Sequence, residues 1–302
     1  MEGEGGSVAE GTTGSTVPRR QLGRYLRDLR GHARLTVKAA ARKLEWSEPK
    51  IWRIETGRTS LRSLDVKAMC EIYGASEDLT EALMGLAKET KARGWWHAYG
   101  DVIPEGFDVY VGLEEAAASL SSYESDIVPG LLQTDGYARE ITRTHIQGIS
   151  DADLDGRVRL RIERQALLTR VTEPPALHVA LSEAVLRRPV GGREVMTEQL
   201  AHLVYVSELP NVSIRVVPFA AGMHSGVVTG PFVILRFPTN GDGIDTEPPT
   251  VYVDGYTGSL YLDKPREVEQ YETAFTGIWE AALDEQASRR LLSDVAGSHE
   301  HG

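Results

Sequence analysis

The chain has 302 residues, of which 41% are hydrophobic and 25% charged, and it carries a net charge of −11. That length accommodates two domains with a substantial core, and the composition is that of a folded globular protein. Disulfide frameworks and thiolate zinc sites are excluded because Cys70 is the only cysteine, and membrane insertion or secretion is not indicated because no apolar run approaches the roughly 20 residues of a span and the N-terminus is acidic and Gly-rich.

In chain order, residues 1–17 combine Gly, Ser, Thr and Glu without apolar periodicity, which predicts a disordered arm. Gln21 to Ala33 predict a first helix, with Leu22, Tyr25, Leu26 and Leu29 on one stripe. Thr36 is placed to cap a second helix whose Ala39, Ala40 and Leu44 share a face. Ser47 is placed to cap a third, with Pro49 in its first turn and Gly57 just past its last. Two short helices around so tight a turn must pack steeply, and Ala40 lets their backbones approach. Ile51 and Ile54 then face inward, leaving Glu48, Lys50, Trp52 and Arg53 near the exposed side, whose N-terminal end is the part of such a helix that enters a major groove. Ser63 to Tyr73, closed by Gly74, and Ser76 to about Lys91, packed by Leu79, Leu83 and Leu86, complete five helices in a domain spanning 18–93. Cys70 reads as a buried structural thiol.

Charge is partitioned sharply. Arg19 to Lys67 holds 14 Lys and Arg against 5 Asp and Glu, a balance of +9, while everything outside that window sums to −20. A basic module on an acidic protein is the electrostatic footprint of DNA binding; the plain alternative is a helical hairpin with no nucleic-acid role. Arg20, Arg24, Arg27, Arg58 and Arg62 are phosphate candidates. Arg53 and Lys50 are base-edge candidates, and Glu48 either accepts from a cytosine or favours the helix dipole.

Residues 20–74 resemble the XRE (lambda-repressor-like) helix-turn-helix family in their leading Leu-Arg helix, the Leu35-Thr36 pair, the Ala-rich second helix and the Ser47-x-x-x-Ile51-x-x-Ile54-Glu55-x-Gly57 third helix. The resemblance implies an all-α, five-helix lambda-repressor-like domain whose partner is a double-stranded DNA operator. Pattern and resemblance together give Thr36, Lys38, Ser47, Glu48, Pro49, Lys50, Trp52, Arg53, Arg58, Thr59 and Arg62 as DNA-binding candidates. Two positions depart from the family: Val37 stands where a phosphate-binding Gln is frequent, and Trp52 where a small polar residue is usual. Trp52 is expected to pack under the domain, with a thymine methyl or a sugar contact as alternatives.

Gly94-Trp95-Trp96-His97 marks a change of texture and opens a larger α+β domain over 94–293, with 294–302 as a disordered tail. Glu114 to Leu120 predict a helix, followed by an extended piece through Tyr123 and the stiff turn Pro129-Gly130-Leu131-Leu132-Gln133-Thr134. A capped helix then runs toward His145, and an Arg-rich helix from Asp151 or Asp153 to about Val171 reads as solvated with one docked face. Strands are expected at 177–181, 212–216 and 231–237, the last apolar enough to be central, with a helix over 192–208. A hairpin joins 250–254 to 259–263, and a final helix opens at Pro265 and runs through Leu283 toward Leu292. Thr239 to Pro249 reads as a mobile acidic loop.

Val128-Pro129-Gly130-Leu131-Leu132-Gln133-Thr134-Asp135-Gly136-Tyr137-Ala138, Leu186-Arg187-Arg188-Pro189-Val190-Gly191-Gly192, Met196-Thr197-Glu198-Gln199-Leu200 and Val217-Pro218-Phe219-Ala220-Ala221-Gly222 are similar to the domain that follows the helix-turn-helix in actinobacterial WhiJ-like or antitoxin-like regulators. The resemblance implies a transcriptional regulator often encoded beside a small partner protein, its C-terminal domain serving that partner, a small-molecule effector or self-association. Leu131, Leu132 and Gln133 are candidates for a pocket or partner groove, with packing of the turn alone as the alternative. Trp95 and Trp96 either hold the domains together or line a cleft.

Histidines 97, 145, 178, 202 and 224 lack metal-ligand spacing, and no nucleophile-elbow, dinucleotide or phosphate-loop motif occurs. The expectation is therefore a cytoplasmic, nucleoid-associated DNA-binding homodimer without enzymatic activity, metal or cofactor.

Overall fold

The computed structural model describes residues 16–91, 95–99, 102–104, 107–239, 245–256 and 258–301. The chain divides into two compact units, Met1–Ala98 and Tyr99–Gly302. No helix among the described residues is long and apolar enough to cross a membrane.

The described part of the first unit holds five α-helices: α1 (Thr16–His32), α2 (Val37–Leu44), α3 (Glu48–Glu55), α4 (Ser63–Tyr73) and α5 (Glu77–Glu89). Thr16 and Val17, expected in the arm, already belong to α1; residues 1–15 lie outside the described residues. Local chemistry sets most boundaries. Thr36, Ser47 and Ser76 accept hydrogen bonds from Ala39, Lys50 and Leu79 backbone amides at 3.1–3.3 Å, and Gly74 ends α4 in the left-handed region. Leu26, Ile51, Ile54, Val66, Met69 and Cys70 form the buried centre, the two isoleucines contributing about 1.5–3 kcal/mol each by burial. Tyr25, expected on the buried stripe of α1, is instead exposed.

The second unit is built on one mixed six-stranded sheet of order β3-β2-β1-β4-β5-β6, comprising β1 (Ser119–Glu124), β2 (Ala176–Ser182), β3 (Val212–Val217), β4 (Phe232–Arg236), β5 (Thr250–Val253) and β6 (Leu260–Leu262). The pairs among β1, β2 and β3 are parallel, and β4, β5 and β6 continue antiparallel. Parallel neighbours require crossover connections. The first carries α7 (Asp135–His145) and α8 (Asp151–Arg164); the second carries α9 (Glu183–Arg187) and α10 (Arg193–Val206). α6 (Phe107–Ala116) precedes β1, α11 (Ser225–Thr229) precedes β4, and α12 (Pro265–Ala281) and α13 (Glu285–His301) end the chain. Tyr123, Ala180, Phe232, Ile234 and Val251 share one face of the sheet and pack with Val268 and Ile278 of α12.

Three expectations are corrected. The helix expected over 114–120 ends at Ala116, and Ser119–Glu124 is an internal strand hydrogen-bonded to both β2 and β4. Its Ser-rich sequence hides it, since period-two apolarity is the usual signal. The final helix breaks at Ala282: the Leu283 amide donates to the Val216 carbonyl at 2.9 Å, and the Val216 amide donates to Ser288 Oγ at 2.9 Å, so the link between α12 and α13 and the first turn of α13 cap the outer edge of β3 at Val216. Residues 294–301, expected as a disordered tail, continue α13 with Val295 buried. Within the expected mobile loop, Thr239 bridges Asp245; residues 240–244 lie outside the described residues.

Candidate functional site

Two places bring the singled-out residues together. In the first unit, α2 and α3 are joined by Glu45, Trp46 and Ser47, and Glu45 takes a left-handed conformation at φ 56° to turn the chain. The Trp46 amide returns to the Ala41 carbonyl at 2.9 Å. Pro49 lies in the first turn of α3, where its missing N–H is no loss.

A buried lock sets the angle of α3. Arg30 Nε and Nη2 donate to the two carboxylate oxygens of Glu55 at 2.6 and 2.7 Å, while Nη1 donates to the Leu35 carbonyl at 2.9 Å. One guanidinium thus ties α1 to the end of α3 and to the turn before α2, and the hydrogen bond to Glu55 holds Arg30 above its usual pKa. Gly23 allows the approach: a Cβ there would lie 2.5 Å from the Ile54 carbonyl oxygen.

Ile51 and Ile54 face the core as expected, and Glu48, Pro49, Trp52 and Arg53 are exposed on the opposite side. Trp52 does not pack under the domain: it is 48% exposed, with the Arg58 guanidinium 4.5 Å from its ring centroid. Lys50 is half-buried, its ammonium 3.4 Å from the centroid of Trp46, so Arg53 is the cation of α3 that projects freely; among the described residues it forms no ion pair. Thr36 and Ser47 use their oxygens as caps, with the hydroxyl protons available outward. Lys38 is exposed, Thr59 half-buried, and Arg62 exposed but forked onto Asp65 at 3.0 and 3.3 Å. Arg20, a phosphate candidate, is buried beside Gly57. The result is a short helix with a cation–aromatic contact towards each end, carrying donors and an acceptor suited to base edges and phosphates.

The second place is a cavity of about 360 Å³ in the second unit, on the sheet face opposite α12. The Pro129–Gln133 turn borders it with Leu131 and Gln133, whereas Leu132 is fully buried beside it and its carbonyl accepts from Gln199 Nε2 at 2.7 Å. Gln133 spans the turn: Nε2 donates to the Val128 carbonyl at 2.6 Å, and Oε1 accepts from Arg161 Nη1 at 3.0 Å. Trp95 and Trp96 belong to the first unit, ring centroids 6.2 Å apart, with Trp95 partly exposed and Trp96 buried.

Sequence patterns missed the charged lining of this cavity. α8 is not simply a solvated helix, because Arg161 and Arg164 both turn inward. Arg164 is neutralised by Glu114, its Nη2 and Nε donating at 2.7 and 2.8 Å, and a Cβ on Gly130 would lie 3.3 Å from its Nη1. Burial, then the charges of Arg164 and Arg157, push Arg161 down to about 10. Burial drives the Glu124 carboxyl up to about 8 against a 3.1 Å hydrogen bond from Ser122, with Asp254 and Asp126 adding to the rise. Tyr110 and Tyr252, centroids 4.2 Å apart, form an aromatic wall, and burial raises both phenols. The one available signal was the i, i+3 spacing of Arg161 and Arg164 beside Leu160 and Leu168. Among the described residues no three His, Cys, Asp or Glu side chains converge as metal ligands.

Residues 21–83 match a helix-turn-helix domain, which makes the first unit a module of the DNA-binding regulator class. Residues 107–294 match the family described as a domain of unknown function (DUF5753), and the chain belongs to that family. No curated protein and no solved structure matches the chain.

Proposed function

We propose that this protein is a sequence-specific transcriptional regulator of the XRE, lambda-repressor-like kind, acting as a homodimer whose second domain provides the dimer contact and senses a ligand or partner protein. The observation that carries the reading is the solvent-facing end of α3, with Glu48, Trp52 and Arg53 exposed in the segment whose balance is +9 on a chain of −11. A dimer sets two such helices one DNA turn, about 34–36 Å, or a multiple apart, and anything that alters that spacing alters operator fit. Arg53 reads a base edge, Thr36, Lys38, Ser47 and Arg58 grip the backbone, and Trp52 contacts sugar or a thymine methyl.

The test is a salt-dependent DNA-shift titration of wild type against Arg53→Ala. Discrimination at one base position should fall by about 1–3 kcal/mol while the salt slope hardly changes. Failure of the wild type to bind DNA at low salt, or a monomer on a selected operator, overturns the reading.

A second reading, an antitoxin-like protein that holds a small partner and uses DNA for autoregulation, is favoured by the segment 219–228. Phe219, Met223, Val227 and Val228 are 57–80% exposed there, an apolar density that marks interaction surfaces. Co-purification of a stoichiometric small protein would support it.

A further inference from the structure

We propose that the cavity of the second unit binds a small zwitterion with separated charges, its anionic group meeting Arg161 and its amino group meeting Glu124. The inference deepens the sensing role proposed above, on which it rests only for its effect on DNA.

The chain neutralises one of two adjacent guanidiniums and leaves the other. Arg164 is matched by the two oxygens of Glu114, but among the described residues the hydrogen-bond partner of Arg161 is the neutral Gln133 amide, and the charges that act on it are the cations Arg164 and Arg157. A half-buried guanidinium without a carboxylate is costly unless something else supplies the anion, and its planar fork suits a carboxylate or phosphate.

The opposite imbalance holds where β1 and β5 end. Glu124 has the Ser122 hydroxyl as its partner, and its charged neighbours are Asp254 and Asp126. Asp126 is paired with Arg188 at 3.1 Å, while Asp254 accepts from the Ser259 hydroxyl at 2.9 Å, so neither brings a cation to Glu124. These acids do not converge as metal ligands, which favours an ammonium over a metal ion. Arg161 and Glu124 do not offset one another: the charges that act on each are of its own sign. Both therefore border one cavity without a counter-ion, Glu124 as a carboxyl that burial keeps largely protonated until a cation meets it, and Leu120, Leu131, Val233 and the Tyr110–Tyr252 pair line the same space to cover an apolar body. At about 360 Å³ the space suits a ligand at the small end of the usual range.

Isothermal titration of the full-length protein at neutral pH with 6-aminohexanoate, hexanoate and hexylamine tests this without DNA. The zwitterion should bind at least about tenfold tighter than either single ion. Arg161→Met should reduce it to the affinity of hexylamine, and Glu124→Gln to that of hexanoate. Asp254→Asn, at an exposed position, should weaken it about threefold with unchanged thermal unfolding, which keeps the test open if a buried variant misfolds. Equal affinity for the three probes, absence of binding at about 10 mM, or a preference that survives every substitution would overturn the proposal. A low-salt DNA shift on the same preparation separates that failure from failure of the regulator reading.

Discussion

Substituting Glu55→Gln isolates the lock that orients α3. The wild-type carboxylate receives two guanidinium hydrogen bonds at 2.6 and 2.7 Å, with Glu55 6% and Arg30 15% exposed. The amide keeps the shape but removes the charge, leaving Arg30 largely desolvated against neutral acceptors, the Leu35 carbonyl and one amide oxygen. Breaking a buried pair from one side costs about 3–5 kcal/mol, and the residual exposure of Arg30 lowers the expectation to about 2–3 kcal/mol. Replacing both partners, Arg30→Met with Glu55→Leu, removes the stranded charge and should return the unit to within about 1 kcal/mol of wild type. Native-state hydrogen exchange on peptides from residues 16–74 reads the opening free energy of this unit separately from the sheet domain. A Glu55→Gln cost below about 1 kcal/mol, or a double variant as unstable as the sum of the singles, would refute the reasoning.

Trp52→Ala should leave stability within about 0.5 kcal/mol, because the ring is exposed, yet weaken operator binding severalfold; a large loss of stability with unchanged binding would mean the ring is structural after all. Gly226→Ala would place a Cβ 2.4 Å from Tyr123 Cζ, and overpacking of that kind should cost about 1–3 kcal/mol in denaturant unfolding. Glu124 provides a pH test. Its carboxyl sits at about 8 in the fold, against about 4.3 in an unfolded chain, so the stability it contributes is fully present below the lower value and lost as pH rises through the upper. Glu124→Gln should therefore gain on wild type as pH rises from about 5 to 9, by on the order of 1–2 kcal/mol given its partial exposure. A difference between the two proteins that does not change with pH would contradict the assignment.

What could be read from the residues alone was what short-range chemistry decides. Thr36, Ser47, Ser76 and Gly74 bound their helices because a cap or a left-handed residue acts within three or four positions. The α2–α3 pair with Ile51 and Ile54 inward followed from the same local signals. Arg30 with Glu55 and Arg164 with Glu114 were not legible, since the partners lie 25 and 50 residues apart and each arginine taken alone resembles any surface cation. β1 escaped because burial of Ser122 carries no apolar signature. Trp52 was misjudged because an aromatic ring at helical spacing usually marks a core, whereas here the ring is exposed with the Arg58 guanidinium over it. The leucine turn at 129–134 drew attention to the cavity, but its charged lining depends on how α8 rolls against the sheet.

The link between α12 and α13 has a bearing on how copies of the protein can meet. An uncovered border strand offers its backbone to any neighbour with a matching ribbon, and runaway stacking begins there. At Val216 that invitation is withdrawn by Leu283 and Ser288, which occupy the carbonyl and the amide that a stranger would otherwise use. Protection of this point of β3 falls to α13 and the turn before it, so a second ribbon cannot pair with the backbone of Val216.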